Sequence, residues 1–133
     1  MATFHLQIVT PDCKKYDAKA ERVIVRTVNG DVCILSRHID YVAPLGIGEA
    51  RVTDEEGNVR RAACAGGMIS VCNNEVRVVA TTFEWADEID LDRARAAQGA
   101  AEQRLQRMKR EDAKYSIVEA KLKRALNRIA IKE

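Results

Sequence analysis

Short runs of alternating apolar and polar residues occupy the first two thirds of the chain. In residues 4–8 every second position is apolar, as in a strand with one face on a core and the other in water. Residues 23–28 are rich in β-branched side chains, and Asn29-Gly30 after them favours a tight hairpin turn. The returning strand is then predicted at residues 32–35. Further strands are predicted at residues 50–53, 59–63, 68–72 and 76–82.

Turn-forming residues separate these later segments. Glu56-Gly57-Asn58, Gly66-Gly67 and Asn73-Asn74 each fall between two apolar runs, where glycine and asparagine favour a change of chain direction. Many short strands joined by close turns are typical of an antiparallel β-sandwich or barrel. The sequence therefore predicts an N-terminal antiparallel β-sandwich over residues 1–84.

The periodicity changes to that of helices after Glu84. Asp90 is a favourable N-cap, and apolar positions then recur at spacings of three and four, which places them on one side of a helix. A polar segment at residues 109–114 interrupts this pattern before it resumes. The two predicted stripes are Leu91, Ala94, Gln98, Ala101, Leu105 and Met108, and Tyr115, Val118, Leu122, Ala125 and Ile129.

Two such stripes joined by a short polar turn predict an antiparallel two-helix hairpin over residues 85–133. The fold class is thus α+β, a sandwich followed by a helical hairpin. Much of the hairpin is alanine, which favours helix but buries little apolar area, and Gly99 lies in mid-helix. We expect helices that are well formed yet weakly held against the rest of the molecule.

Composition agrees with a folded, globular chain and bears on its membrane association and on the state of its cysteines. Of the 133 residues, 47% are hydrophobic and 32% are charged, values typical of a globular protein rather than a disordered one. No apolar run approaches the ~20 residues that cross a bilayer, so any membrane association is expected through partners. The four cysteines form no Cys-x-x-Cys pair and are expected as reduced thiols that fill apolar space.

Charge is distributed unevenly along the chain. Residues 1–90 hold 10 basic and 14 acidic side chains, whereas residues 91–133 hold 12 basic and 6 acidic ones. A basic hairpin fits three interpretations: a solvated surface, a nucleic-acid contact, or a contact with an acidic protein or a nucleotide. Composition alone leaves all three open.

Catalytic patterns are weak or missing. Gly46-Ile47-Gly48 is a fragment of a dinucleotide loop, and no phosphate loop with the Gly-Lys-Ser/Thr ending is found. His38 could act as a base in a small enzyme, but no serine or cysteine nucleophile is recognisably paired with it. The sequence therefore indicates a protein without catalytic activity of its own.

The order of several motifs resembles one known family. The quoted segments are Phe4-His5-Leu6-Gln7-Ile8-Val9-Thr10-Pro11-Asp12, Asn29-Gly30-Asp31-Val32-Cys33-Ile34-Leu35-Ser36-Arg37-His38, Val42-Ala43-Pro44-Leu45, Ala65-Gly66-Gly67-Met68-Ile69-Ser70-Val71 and Ile89-Asp90-Leu91-Asp92-Arg93-Ala94. Each is weak alone, but their order and spacing over essentially the whole chain resemble the epsilon subunits of bacterial F-type ATP synthases. That family is preferred here to a free-standing nucleic-acid-binding module or an enzyme using His38.

The resemblance implies a non-catalytic subunit of the central stalk, in the rotor of a proton-translocating ATP synthase. The sandwich would bind the gamma subunit and the c-ring, with Asp31 and His38, taken as residues of one loop, facing the ring. The family's usual Gly-His-x-Pro-Leu run here reads Arg37-His38-Ile39-Asp40-Tyr41, which alters the freedom of the loop's backbone. The chain would lie on the cytoplasmic face of the bacterial plasma membrane as a peripheral protein, with no nucleic-acid partner.

The hairpin resembles the family's regulatory arm. Such arms fold down against the sandwich, or extend along gamma to the alpha and beta subunits and inhibit ATP hydrolysis. The excess of basic residues suits an acidic loop on beta. No cofactor is required by this interpretation.

Some members of the family bind a regulatory ATP in the folded-down form. The positions that match this site are Glu84, Ile89, Asp90, Arg93, Ala94, Arg124 and Arg128. Arginines on two helices could hold phosphate oxygens through charge-assisted hydrogen bonds. Ala100 stands where the ATP-binding versions are expected to have another arginine, and Asp90 could instead only cap its helix.

Overall fold

Seven strands precede two helices in the computed structural model, which describes residues 2–132. A short 3₁₀ helix, Ala86–Glu88, links the two parts. The strands are β1 Phe4–Val9, β2 Lys14–Thr27, β3 Gly30–Leu35, β4 Tyr41–Pro44, β5 Ile47–Asp54, β6 Val59–Cys72 and β7 Glu75–Trp85. The helices are α1 Leu91–Gln106 and α2 Tyr115–Lys132. The predicted α+β fold of a sandwich followed by a helical hairpin is confirmed.

The seven described strands form a single sheet. The sheet order is β1-β7-β6-β5-β2-β3, β4 pairs with β6, and β1 also pairs with β2, which closes the sheet into a barrel-like sandwich. All pairs are antiparallel except β1 with β7, which is parallel. The alternation in the sequence predicted strands but carried no information on this one parallel pairing.

Gly66 and Gly67 lie inside β6, although the sequence analysis placed a turn between strands there. Both have positive φ, +71° and +100°, and a Cβ at Gly67 would lie 1.9 Å from the carbonyl oxygen of Val79. The strand therefore bends without ending, and its two halves pair with different neighbours, β5 before the glycines and β4 after them. Sequence analysis also missed β4 and the first part of β2.

The main core belongs entirely to the sandwich. Its buried side chains run from Phe4 to Trp85, and Leu6, Val23, Ile34, Val52 and Val78 are completely buried. Every strand contributes alternate residues, as expected for two facing layers. The sandwich thus contains its own hydrophobic core.

The helices pack on each other and, through α2, on strands β5 and β6. Ala94 and Ala101 of α1 and Val118 and Ala125 of α2 are buried, in agreement with the predicted stripes. A small second cluster joins Ile131 of α2 to residues at the edge of the sandwich. Within residues 2–132, no helix is long and apolar enough to cross a membrane.

Candidate functional site

A cleft of about 600 Å³ lies where the helices meet the sandwich. Its walls come from the segment joining β1 to β2, from the end of β7 with the 3₁₀ helix, and from α1 and α2. This volume lies in the range of small-molecule sites. The charged residues that line the cleft are Asp12, Lys15, Glu84, Glu88, Asp90, Arg93 and Arg128.

Asp90 and Arg93 begin helix α1 at the mouth of the cleft. The Asp90 carboxylate accepts a hydrogen bond of 3.1 Å from the backbone N–H of Arg93, so it caps the helix. Among residues 2–132 the Arg93 guanidinium has no hydrogen-bond or ion-pair partner. Ala94, one residue on, is buried and lets the helix approach the cleft wall. The cap thus accounts for Asp90, and the Arg93 donors stay available.

Glu84 and Arg128 connect the sandwich to the second helix across the cleft. The Arg128 Nε donates to Glu84 Oε1 at 2.5 Å, and both side chains are only about one third exposed or less. Two further polar contacts hold α2 nearby: Asn127 Nδ2 donates to the carbonyl of Gly48 at 2.8 Å, and Lys132 Nζ donates to the carbonyl of Ala86 at 3.1 Å. A few polar contacts therefore hold the arm on the sandwich.

Ile89 and Arg124, also predicted for the site, lie outside the cleft. Ile89 is 4% exposed and packs with Ala63 and Ile131. Arg124 lines the adjoining groove between α1 and α2, together with Ala100, and the groove meets the cleft at Arg128. The structure thus brings five of the seven predicted residues to one cleft. Ile89 lies in a hydrophobic cluster instead, and Arg124 lies in the groove beside the cleft.

Sequence analysis missed the wall that faces the helices. Lys15 Nζ lies 3.2 Å and 3.4 Å from the two carboxylate oxygens of Glu88, and Asp12 and Cys13 line the same wall. Lys15 and Glu88 are separated by 73 positions in the chain. Because no local pattern relates residues so far apart, only the paired strands could have revealed this wall.

The charges of the cleft are largely matched in pairs. Glu84 pairs with Arg128 and Glu88 pairs with Lys15, and a hydrogen bond from the Trp85 backbone N–H is the main cause that lowers the pKa of Glu88. A polyphosphate could bind to the available donors of Arg93, and would share or replace the carboxylate contacts of Lys15 and Arg128. The cleft is lined by the cations Lys15, Arg93 and Arg128, and within residues 2–132 no group of His, Cys, Asp and Glu side chains could hold a metal ion.

Asp31 and His38 do not share a loop, contrary to the sequence analysis. Asp31 lies at the start of β3, where its Oδ1 accepts from Arg26 Nε at 2.6 Å, while His38 lies beyond the end of that strand. Leu35, the last residue of β3, lies four positions after Asp31, a rise of roughly 13 Å along the strand. His38 packs edge-on against Tyr41, with ring centroids 5.9 Å apart. Both residues lie on the surface but at opposite ends of β3.

Arg37 has the backbone conformation that usually requires glycine. Its φ is +64°, and the Oδ1 of Asn74 accepts a 2.7 Å hydrogen bond from its backbone N–H. The family's usual glycine at this position fits that geometry, and Asn74 helps to hold it here without one. The loop before β4 therefore keeps a left-handed turn despite the substitution.

Three of the four cysteines are exposed, which contradicts the expectation that they fill apolar space. Cys13, Cys33 and Cys72 lie on the surface, and only Cys64 is buried. Burial raises the pKa of the Cys64 thiol to about 12. Only Cys64 therefore behaves as the small hydrophobic residue that was predicted.

Comparisons with known proteins identify the family. Residues 3–86 match the model of the ATP synthase delta/epsilon chain β-sandwich domain, and residues 87–133 match the long α-helix domain of the same chain. Relatives named ATP synthase epsilon chain include those of Halalkalibacterium halodurans, 40% identical, and Alkalihalophilus pseudofirmus, 41% identical. In both comparisons the alignment covers 98% of this chain and 98% of the relative.

Solved structures show the same fold. A chain in the mitochondrial ATP synthase of Euglena gracilis, a structure of OSCP, F1 and the c-ring, superposes with a TM-score of 0.86 at 21% identity, over 100% of this chain and 83% of the other. A chain from the central stalk and c-ring of the Tetrahymena thermophila enzyme gives 0.61 at 16% identity, over 97% and 96%. The predicted family is confirmed, because the chain belongs to the ATP synthase delta/epsilon family and groups with its epsilon chains, which are accessory rather than catalytic subunits.

Proposed function

We propose that this chain is a regulatory subunit of the central stalk that restrains ATP hydrolysis through its C-terminal arm and binds ATP when the arm is folded down. The observation that carries the proposal is the cleft, where Arg93 and Arg128 of the arm meet Glu84 of the sandwich. A ligand seated between these residues would favour the folded-down arm over any other position. ATP would thereby act as a signal, not as a substrate.

The arm is held weakly enough to move. Its apolar contact with the sandwich rests on Ala63, Ile89 and Ile131, and the hydrogen bonds from Asn127, Arg128 and Lys132 add to it. At 100 times its dissociation constant, ATP would stabilise the bound form by about 2.7 kcal/mol. That free energy is large enough to shift the balance between a folded-down and an extended arm when so few contacts hold the arm. When ATP falls, the arm would extend toward the alpha and beta subunits and block wasteful hydrolysis.

The partners in this proposal are those of a rotor subunit. The sandwich would contact the gamma subunit and the c-ring, and so couple proton flow to ATP synthesis, while the chain stays on the cytoplasmic face of the bacterial plasma membrane. Asp31 and His38 are proposed as contacts with the c-ring. Because they lie at opposite ends of β3, these would be two separate contacts. The basic residues after position 90 would favour an acidic surface on the beta subunit.

Calorimetric titration of the full chain with ATP tests the cleft. Arg93→Ala and Arg128→Ala should each weaken ATP binding by about tenfold or more, because each removes a charge-assisted hydrogen bond to phosphate, worth about 1.5–3 kcal/mol. Arg107→Ala is the matched control, since Arg107 is exposed at the end of α1 and does not line the cleft. Equal affinity in all three variants, or no binding by the parent at millimolar ATP, would exclude this site.

Hydrolysis by the assembled enzyme tests the arm. A chain that ends at Ile89 should still assemble with gamma, because the core of the sandwich is complete without the helices. The enzyme containing it should hydrolyse ATP faster than the enzyme with the full chain, most clearly at low ATP. Equal rates across ATP concentrations would show that the arm does not restrain hydrolysis.

A further inference from the structure

Among residues 2–132, Lys15 is the one cation that the sandwich supplies to the cleft. It lies at the start of β2, faces the helices, and its side chain is 18% exposed. The other two cations, Arg93 and Arg128, belong to the arm. An anion in the cleft would therefore have positive charge on both sides only if Lys15 takes part.

The pairing of Lys15 leaves it able to bind a second group. An ammonium group has three donors, and the only described partner of Lys15 Nζ is the Glu88 carboxylate, at 3.2 Å and 3.4 Å. These distances are longer than those typical of a strong charge-assisted hydrogen bond. A phosphate oxygen that approaches Nζ from the cleft could thus share the ammonium or displace Glu88 from it.

Glu88 would keep a partner if Lys15 turned away. Its Oε1 accepts a 3.0 Å hydrogen bond from the backbone N–H of Trp85, which is part of the local 3₁₀ turn. Exchanging carboxylate for phosphate at Lys15 therefore leaves no unsatisfied buried group. Arg128 donates to Glu84 through Nε alone, so its other N–H groups could bind phosphate while Glu84 keeps its one described partner.

We propose that Lys15 is a third phosphate-binding residue of the cleft and contacts a nucleoside triphosphate from the side of the sandwich, opposite Arg93 and Arg128. This inference rests on the proposed ATP-binding function and extends it. Bound nucleotide then links the sandwich to both helices through its own phosphates, so release of the nucleotide loosens the arm at its base.

Binding of ATP and of AMP to the full chain tests the role of Lys15. Lys15→Gln should weaken ATP binding about tenfold and change AMP binding little, because AMP lacks the two outer phosphates. Lys15→Arg, which keeps the charge, should retain most of the affinity. Lys14→Gln is the control, since Lys14 pairs with Asp17 and does not line the cleft. Equal ATP affinity in Lys15→Gln and the parent would overturn the assignment.

Glu88→Gln separates phosphate binding from a structural ion pair. If Lys15 binds phosphate, freeing it from Glu88 should leave ATP affinity unchanged or raise it, and the glutamine oxygen can still accept from Trp85. If Lys15 acts only by holding Glu88, Glu88→Gln should weaken ATP binding as much as Lys15→Gln, which would contradict the proposal. A parent chain that binds no ATP would overturn both this role and the ATP-binding function, whereas a parent that binds normally confines a failure to Lys15.

Discussion

Glu49 lies between two arginines on the outer surface of the sandwich. Its carboxylate accepts from Arg61 Nε at 2.7 Å and from Arg51 Nε at 2.5 Å. These contacts, chiefly that of Arg61, lower the pKa of Glu49 from an ordinary value of about 4.5 to about 2. The ionised form of Glu49 is therefore favoured in the folded chain. Its ion pair with Arg61 links the neighbouring strands β5 and β6.

The stability that Glu49 provides should depend on pH. Because the pKa of Glu49 is lower in the folded chain than in the unfolded one, its carboxylate stabilises the fold fully above about pH 4.5. This stabilisation is lost as the pH falls through about 2. Glu49→Gln should lower the free energy of unfolding at pH 7 by about 1 kcal/mol, a value reduced by solvent screening of the exposed arginines. Urea denaturation should show this difference shrinking below pH 4.5. Glu55→Gln, in an exposed turn, is the control, and a difference that persists to pH 2 would contradict the mechanism.

Cys64 should be the one unreactive thiol among the four. Its pKa of about 12 and its 4% exposure leave almost no accessible thiolate at pH 8, whereas the other three cysteines are exposed. A thiol reagent should modify three groups rapidly in the folded chain and all four in guanidinium. Cys64→Ala should leave the rapid count at three. Four rapid reactions in the parent would show that the strand around Cys64 opens easily.

At the scale of elements, the two kinds of glycine have opposite roles. Gly66 and Gly67 allow β6 to bend, and a side chain at either would meet atoms of β7. Gly99 lies within α1, and a Cβ there would meet nothing within 4 Å. The first pair is required by close packing of strands, whereas Gly99 only raises the flexibility of the arm.

Gly99→Ala should stabilise helix α1. Alanine loses less backbone entropy on helix formation, and the gain is up to about 1 kcal/mol because no atom obstructs the new methyl group. Hydrogen exchange of the α1 amides should slow, while exchange in the sandwich stays the same. Ala96→Gly, at an exposed position of the same helix, should have the opposite effect. If exchange of the α1 amides neither slows in Gly99→Ala nor speeds up in Ala96→Gly, packing rather than helix propensity limits the stability of α1.

At the scale of the whole molecule, the sandwich and the arm differ in how they are held together. The twenty buried residues of the main core all lie between Phe4 and Trp85, while only three buried residues form the separate cluster that joins arm and sandwich. The arm can therefore leave without exposing the main core. The regulatory role proposed for the arm requires this division of contacts.

A chain that ends at Ile89 should fold cooperatively. Thermal unfolding should remain a single transition, and near-ultraviolet circular dichroism should keep the signal of Trp85, which stacks edge-on against Phe83 with centroids 4.9 Å apart. A chain that ends at Ala80 is the control and should not fold, because it lacks both of these aromatic core residues. An unfolded chain ending at Ile89 would show that the helices are part of the core.

Much of the architecture followed from local pattern. Alternation in residues 4–8 predicted a real strand, as did β-branched side chains in residues 23–28 and the return after the Asn29-Gly30 turn. The spacing of apolar residues after Asp90 predicted both helices, since that pattern reports which side of a helix is buried. Strand β4 was missed because a four-residue segment after Asp40 carries too few alternations. The bend of β6 was read as a turn because glycine pairs serve both purposes.

By itself, the sequence determined most of the elements, their order, the family and the arm's basic charge. Tertiary structure alone decided the parallel pairing of β1 with β7, the separation of Asp31 from His38, and the approach of Lys15 to Glu88. The physical reason is the distance along the chain over which each interaction acts. Periodicity and capping act over a few neighbouring residues, whereas these contacts join distant segments that meet only when strands pair and the helices pack on the sandwich.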